Sequence, residues 1–328
     1  MAEIMKTERP RLVIILGPTG TGKSRLAIDL AEEVGGEIVS ADSMQVYQHM
    51  DIGTAKPTRE ERERVTHHLI DIVPPDQPFH AGLYRALGRT TIDHLYERQI
   101  PIWVVGGTGL YIRTLTQGLF ASPRIDPTLR ERLKQEARAK GEDFLYQRLK
   151  DVDPKTASKL HPHDLIRTIR ALEVFEGTGL PISFYQEKHR FGDRPYLTFK
   201  MGLETDRDEL YRRIDERVDR MIERGFLQEV EGLLEKGYGP ELNPMRSLGY
   251  KQMVQFLKGE MGWDESIREM KRDTRRYAKR QWTWFKADPE VRWREGVMDR
   301  EKIFREVRSF LKEGKSTLPS EAGQGQGG

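Results

Sequence analysis

The chain has 328 residues, 55 Lys and Arg against 52 Asp and Glu, and no cysteine. That length allows two domains or one with a large insertion. The missing cysteines exclude disulfides, thiolate metal sites and a cysteine nucleophile, and suit a cytoplasmic protein. A net charge of +3 is too small to imply a nucleic-acid partner by itself, and no apolar run approaches the length of a membrane span.

The first element is the apolar run Leu12–Leu16, followed by Gly17-Pro18-Thr19-Gly20-Thr21-Gly22-Lys23-Ser24 and a helical pattern to Val34. Strand, G-x-x-x-x-G-K-S and helix together form a P-loop, with Lys23 as a point charge on phosphate and the Ser24 hydroxyl placed for Mg²⁺. Glycines let successive backbone N–H groups converge on one anion, and the helix start adds its positive end. The pattern does not say whether the phosphate belongs to a nucleotide. A second strand, Glu37–Ser40, runs into a loop carrying Asp42 and Ser43. If the carboxyl ends of the two strands border one crevice, Asp42 faces the P-loop; the ordinary alternative for an Asp there is a turn or cap. Thr58 and Glu61 form a capping box opening a helix. Ile70–Val73 and Ile102–Val105 read as short buried strands around a helix over 83–98. The fourth strand ends in Gly106-Gly107-Thr108-Gly109, with no carboxylate at its tip. P-loop NTPases usually have one there to hold the Mg²⁺ shell and position water. Glycines at that point leave room for a ligand to approach, or simply make a tight turn.

Between 113 and 195 the pattern is helical and polar, punctuated by Pro and Gly. Tyr196–Leu203 reads as a strand returning to the sheet, followed by helices over 206–236, 247–259 and 263–287. The expected fold is an α/β class P-loop core, 8–112 with 196–315, interrupted by a helical insertion at 113–195, with 316–328 a disordered tail. Residues 271–286, "KRDTRRYAKRQWTWFK", hold seven basic residues against one acid, with aromatics between them. Packing of the helix is the expected role of Trp284 and Phe285. His67-His68 diverge on a strand or helix, and His161 and His163 precede a helix that Asp164 is placed to cap, so neither pair reads as a metal site.

Eight segments, "GPTGTGKS", "DSMQVYQHMDIGTAKP", "HHLIDI", "VVGGTGLY", "HPHDLIRTIRALEV", "RIDERVDRM", "RSLGYKQM" and "KRQWTWF", resemble in order the tRNA dimethylallyltransferase family, from residue 17 to 285. The resemblance implies that the P-loop, residues Gly17 to Ser24, binds the diphosphate of dimethylallyl diphosphate rather than ATP, with Mg²⁺ on Ser24. It implies transfer of the dimethylallyl group to N6 of the adenine 3′ of the anticodon. It gives Asp42 the proton-accepting role, and Arg217, with Arg213 one turn away, a contact to diphosphate; Thr19 and Lys23 complete the catalytic set. Carried-over tRNA contacts are Asp42, Ser43, Met44, Gln45, Thr108, Arg130, Ile166, Arg167, Thr168, Ile169, Arg170, Arg246, Gly249, Tyr250, Lys251, Lys279, Arg280, Gln281 and Trp282. Of these, Trp282 or Tyr250 is expected to stack a base. The partners implied are the tRNA anticodon stem-loop and dimethylallyl diphosphate, with no membrane, and a monomer is expected. The rival readings are a small-metabolite P-loop kinase and a non-catalytic RNA-binding protein.

Overall fold

A computed structural model describes residues 9–120, 125–295 and 299–313. In chain order the elements are β1 (Arg11–Leu16), α1 (Lys23–Val34), β2 (Glu37–Ser40), α2 (Arg59–Arg64), β3 (His67–His68), α3 (Ala81–Glu97), β4 (Ile102–Gly106) and α4 (Gly109–Gln117). A helical stretch follows: α5 (Pro127–Lys140), α6 (Glu142–Val152), α7 (Pro154–Ala157), α8 (Leu165–Thr178) and α9 (Ile182–His189). The chain then forms β5 (Leu197–Leu203), α10 (Arg207–Glu223), α11 (Phe226–Glu235), α12 (Tyr250–Leu257), α13 (Trp263–Lys286), β6 (Arg292–Arg294) and α14 (Arg300–Lys312). The described residues up to Thr116 and from Arg194 onward make one compact unit, and Gln117–Asp193 make another.

In the first unit six strands run parallel in the order β3-β2-β4-β1-β5-β6. A parallel sheet is covered on both faces, so its central strands are apolar throughout. In β1, Leu12, Ile14 and Leu16 join one core cluster with Tyr84, Ile92 and Ile112. Val13 and Ile15 join the opposite one with Leu26, Leu30 and Ile303. Alternation along a single strand thus feeds α3 and α4 on one side and α1 and α14 on the other.

A third cluster is helical. It gathers Val218 and Met221 of α10, Phe226 and Val230 of α11, Tyr250 and Met253 of α12 and Met270 of α13 around Val46, Tyr47 and Met50. The loop after β2 is therefore packed on helices that come about 200 residues later in the chain. Gly225, at φ 92°, separates α10 from α11, where the sequence reads as one long helix. In α13 the buried positions Ser266, Met270, Thr274, Ala278, Gln281 and Phe285 form one stripe at three- and four-residue spacing.

Three expectations need correction. The third strand is His67–His68, and Val73 makes only an isolated bridge with Tyr47, because Leu69 and Asp71 take positive φ of 62° and 56°. Strand β6 and helix α14 were not foreseen; their short apolar spacing lies among charges. Trp284 is 45% exposed, with its indole against Gly109, and Phe285 only 3%, so of the two neighbours Phe285 alone joins the buried core. The tail 316–328 lies outside the described residues.

The second unit has its own core of Leu133, Leu145, Leu149, Leu172 and Val174. Asp153 ties two of its helices by accepting from the Thr156 and Ser183 amides, at 3.0 Å each. Asp164 caps α8, accepting from Arg167 N.

The position of Ile14 between β4 and β5, fully buried, sets a stability expectation. Ile14→Ala should cost about 2–5 kcal/mol in denaturant unfolding, with m unchanged. Ile166→Ala, at a position 84% exposed, should stay within about 0.5 kcal/mol of the parent.

Candidate active site

In an open parallel sheet, ligands bind outside the carboxyl ends of the strands. Here three such ends stand side by side: the P-loop after β1, Gly106-Gly107-Thr108 after β4, and Asp42 after β2. β2 is thus not the neighbour of β1. Asp42 reaches the P-loop's cleft because the intervening strand ends without side chains.

Those glycines make room for the protein itself. A Cβ on Gly106 would stand 2.1 Å from the Ala41 carbonyl oxygen, one on Gly107 2.3 Å from Gln281 Nε2, and one on Gly109 2.1 Å from Trp284 Nε1. The Thr108 hydroxyl accepts from Ser43 N at 2.9 Å, and Thr108 N donates to Ala41 O at 3.1 Å. The ends of β2 and β4 are stitched together in this way.

The P-loop is folded by its glycines. Gly17, Gly20 and Gly22 have φ of 141°, 86° and 85°, a region L side chains rarely enter. Gly22 precedes α1 with no side-chain cap, so the first amides of the helix stay open to an anion. Thr21 Oγ1 donates to Pro18 O at 2.9 Å, and Lys23 Nζ donates to the same oxygen at 2.5 Å. The Ser24 hydroxyl has no hydrogen bond among the described residues and lines the cleft.

Thr19, Lys23, Ser24, Asp42, Ser43, Met44, Gln45, Gly106, Gly107, Arg217, Tyr277, Arg280 and Gln281 all line one cleft of about 370 Å³. Its remaining wall is largely apolar: Ile214, Val218, Met221, Leu248 and Met270. Lys23 and Arg217 make no ion pair among the described residues. Desolvation, reinforced by Arg217 and opposed by Asp42, lowers the Lys23 pKa to about 7. Desolvation also lowers Arg217, with Asp42 opposing. Asp42 spends Oδ1 on its own turn, accepting from Met44 N at 2.8 Å and Gln45 N at 3.4 Å. Its Oδ2 accepts nothing among the described residues. The turn reading and the functional reading of Asp42 are compatible, since each uses a different oxygen.

Other candidates are engaged differently. Arg213 pairs with Glu209 at 2.6 Å and lines a separate groove with Thr21 and Gly22, so it does not join Arg217 in the cleft. Tyr250 is 1% exposed, edge-on to Phe226 at 5.0 Å, with its hydroxyl donating to Glu229 at 2.6 Å. Its ring is part of the helical core and cannot stack a base, which corrects that expectation. Gly249, at φ 88°, is packed against Phe226 and Met270. Trp282 lies 5.0 Å from Trp293, with Lys286 Nζ over both rings. Gln281 is buried and bonded inward. In the second unit Arg130 and Arg170 both pair with Glu173, and Arg167 with Asp164. There Thr168 and Ile169 are buried while Ile166 stands out at 84% exposure.

The basic run on α13 divides. Lys271 pairs with Asp219, Arg272 with Glu269, Arg275 with Asp215, Arg276 with Asp273 and Lys286 with Glu204. Lys279 and Arg280 are exposed and make no ion pair among the described residues; exposed Arg246 and Lys251 make none either. Glu229 was missed by the sequence reading. Its carboxylate accepts from the amides of Asp51, Ile52 and Gly53, at 2.8, 2.6 and 3.1 Å, and so fixes the loop that walls the cleft. Nothing in a Glu among charged helical residues signals that role. The apolar wall was detectable, because Leu210, Ile214, Val218 and Met221 form the buried face of α10 and Arg217 interrupts it.

The IPP transferase family model matches residues 45–288. The tRNA dimethylallyltransferase of Syntrophobacter fumaroxidans is 56% identical over 283 residues, 86% of this chain and 82% of that protein. The crystal structure of full-length tRNA isopentenylpyrophosphate transferase from Bacillus halodurans is 36% identical, covering 94% of this chain and 98% of that one, with a TM-score of 0.70. A eukaryotic dimethylallyltransferase described as acting on tRNA is 29% identical, covers 92% and 77%, and superposes with a TM-score of 0.77.

Two outcomes follow from this geometry. Lys23 is the charged form when it grips an anion, and its pKa in the free protein is about 7. An arriving diphosphate raises that pKa, so Lys23 contributes proton uptake to binding above pH 7. Diphosphate itself titrates in this range, so calorimetry of inorganic diphosphate in buffers of different ionisation enthalpy is compared between the parent and Lys23→Met; an equal proton balance in the two would contradict the assignment. Replacing Lys279 and Arg280 together with Ala should weaken tRNA binding and flatten its salt dependence, since fewer counterions are released. An unchanged salt slope would make this turn of α13 a merely solvated face.

Proposed function

This chain belongs to the IPP transferase family, and we infer that it transfers a dimethylallyl group from dimethylallyl diphosphate to N6 of the adenine immediately 3′ of the anticodon in tRNA, releasing diphosphate. One observation carries the reading: a single cleft joins an anion-binding loop with Lys23, Arg217 and Arg280, none in an ion pair among the described residues, an apolar wall, and a carboxylate with one free oxygen.

The chemistry follows from those parts. The diphosphate sits on the P-loop amides, Lys23, Arg217 and Thr19, and these donors stabilise the negative charge that grows as the C1–O bond breaks. The five-carbon group lies along Ile214, Val218, Met221 and Met270, which exclude water from the developing allylic cation. The adenine amino group is a weak nucleophile because its lone pair is delocalised into the ring. As its nitrogen bonds to C1 it must lose a proton, and Asp42 Oδ2 is placed to accept it. The base reaches the cleft only after leaving its loop stack, and Ser43 and Gln45 line the cleft it enters.

A divalent cation fits the donors present. No group of three or more His, Asp or Glu side chains gathers among the described residues. The unpartnered Ser24 hydroxyl, with substrate phosphate oxygens, supplies the hard oxygen ligands that Mg²⁺ takes with few protein groups. Bound by Ser24, Mg²⁺ would neutralise charge on the diphosphate. Among the described residues no helix is long and apolar enough to cross a membrane; a cytoplasmic monomer, with tRNA supplying the partner surface, completes the reading.

The test is direct. Protein, Mg²⁺, dimethylallyl diphosphate and unmodified tRNA should yield prenylated adenosine at the position 3′ of the anticodon; phosphate release from ATP without prenyl transfer would favour the kinase reading instead. Asp42→Asn keeps shape and turn but cannot take the proton. It should lower kcat by about two to four orders of magnitude, the range of a positioned general base. Its KM for dimethylallyl diphosphate should move little. Recovery of near-parent rates at high Mg²⁺ would instead place Asp42 among the metal's ligands.

A further inference from the structure

Gln281 sits in "KRQWTWF" between residues that face solvent, yet its side chain is directed inward and is 7% exposed. Its Oε1 accepts from the Thr19 amide of the P-loop at 2.9 Å. Its Nε2 donates to the Gly107 carbonyl at the end of β4, at 2.8 Å. Both partners are backbone groups, one a donor and one an acceptor, so the orientation of the amide is fixed by them. Tyr277, one turn away on the same helix, lines the same cleft. Gly107 must lack a side chain for the contact to exist, since a Cβ there would stand 2.3 Å from Nε2.

The two backbone points belong to different halves of the reaction. Thr19 is in the loop that holds the leaving diphosphate. Gly107 adjoins Thr108, whose hydroxyl holds Ser43 beside Asp42 on the acceptor side. We infer that Gln281 is a positioning residue of the transferase, setting the distance between the diphosphate loop and the acceptor ledge, rather than a contact to RNA. The inference rests on the prenyl-transfer reading. Its physical basis is that bond formation needs the reacting atoms near attack distance, so an ångström of misplacement costs about 10²-fold in rate. A Gln is the residue this geometry requires: a Glu could accept from Thr19 but would place a carboxylate against the Gly107 carbonyl and near the diphosphate. Lys279 and Arg280 are exposed on the same turn, and Arg280 also lines the cleft, so one turn of helix carries exposed charge beside the inward Gln281.

The experiment compares Gln281→Met and Gly107→Ala, alone and together, with the parent. Gly107→Ala breaks the same contact from the other side, and the φ of Gly107 is not in the left-handed region. Each single variant should lower kcat at saturating tRNA about 10- to 100-fold, the cost of misplaced reacting groups. The Kd for dimethylallyl diphosphate without tRNA should change less than about threefold, because Thr19 N–H is freed rather than lost. The tRNA Kd and its salt slope should equal the parent's. The double variant should be no slower than the slower single, because both act through one contact. Weaker tRNA binding with parent kcat would make Gln281 an RNA contact and overturn the assignment. So would additive losses, an unchanged kcat, or failure of both single variants to fold, which would leave a structural role only. A parent that transfers no prenyl group would instead refute the reading of the reaction, which the variants, measured only as ratios to it, do not test.

Discussion

Lys23 and Arg217 share a desolvated cleft with no ion-pair partner among the described residues, and the rest of the architecture is organised around holding them there. Burial depresses the charged state of both, Arg217 depresses Lys23 further, and the carboxylate that opposes this is Asp42. Like charges brought together out of water are unfavourable in the free protein. They persist because their backbones are fixed by packing that has no stake in the charges: β1 at the centre of the sheet for one, the buried face of α10 for the other. The strain is resolved when a polyanion arrives, and more fully when its charge grows in the transition state. Catalysis by such a site comes from cations paid for in advance by hydrophobic packing elsewhere.

Strand order determines what the cations face. Because β4 lies between β1 and β2, one strand separates the donor loop from Asp42, and the glycines ending β4 let Ala41 and Gln281 pack against that strand end. The third cluster then closes the cleft from the other side. Glu229 anchors the loop at Asp51–Gly53, while Lys56 is buried between Tyr47 O, Asp51 and Asp71. Two buried or half-buried charges therefore shape a loop without taking part in the chemistry. A buried ion pair of this kind contributes little net stability but penalises alternative loop conformations when one partner is removed.

Much of this was legible in the chain. The P-loop, the central strands and α13 announce themselves through apolar runs, glycine spacing and a helical stripe, signals that operate over a few residues. Arg217 came from the family resemblance alone, although its place on the apolar face of α10 is a signal the chain also carries. What escaped was set by partners distant in sequence. His67–His68 rather than Ile70–Val73 forms the edge strand because left-handed Leu69 and Asp71 redirect the backbone. Tyr250 is a core residue because Glu229 and Phe226 meet it, and Trp284 is exposed because Phe285 takes the inward position. A family motif conveys that a segment matters; it does not say which side chains of that segment face the ligand and which face the protein. Within "KRQWTWF" the structure separates them: Lys279 outward, Arg280 exposed at the cleft, Gln281 and Phe285 inward.

The end of β4 shows how reaction type constrains sequence. A hydrolytic P-loop enzyme needs a carboxylate near this point to orient water and share the metal. Here the nucleophile is an amino group on a base that brings its own orientation through its sugar and stacking partners. A carboxylate at Gly107 would displace Gln281 and stand opposite a diphosphate whose charge must be accommodated, not repelled. It would also present a hydrogen-bonding site for water beside an allylic cation, which water would capture as the alcohol. The carboxylate of the cleft stands one strand over, at Asp42, and in the proposed reaction it takes the proton there, away from the leaving group. The same sheet and loop thus serve prenyl transfer by relocating one acid, and the vacated strand end becomes the point where α13 is tied to the P-loop.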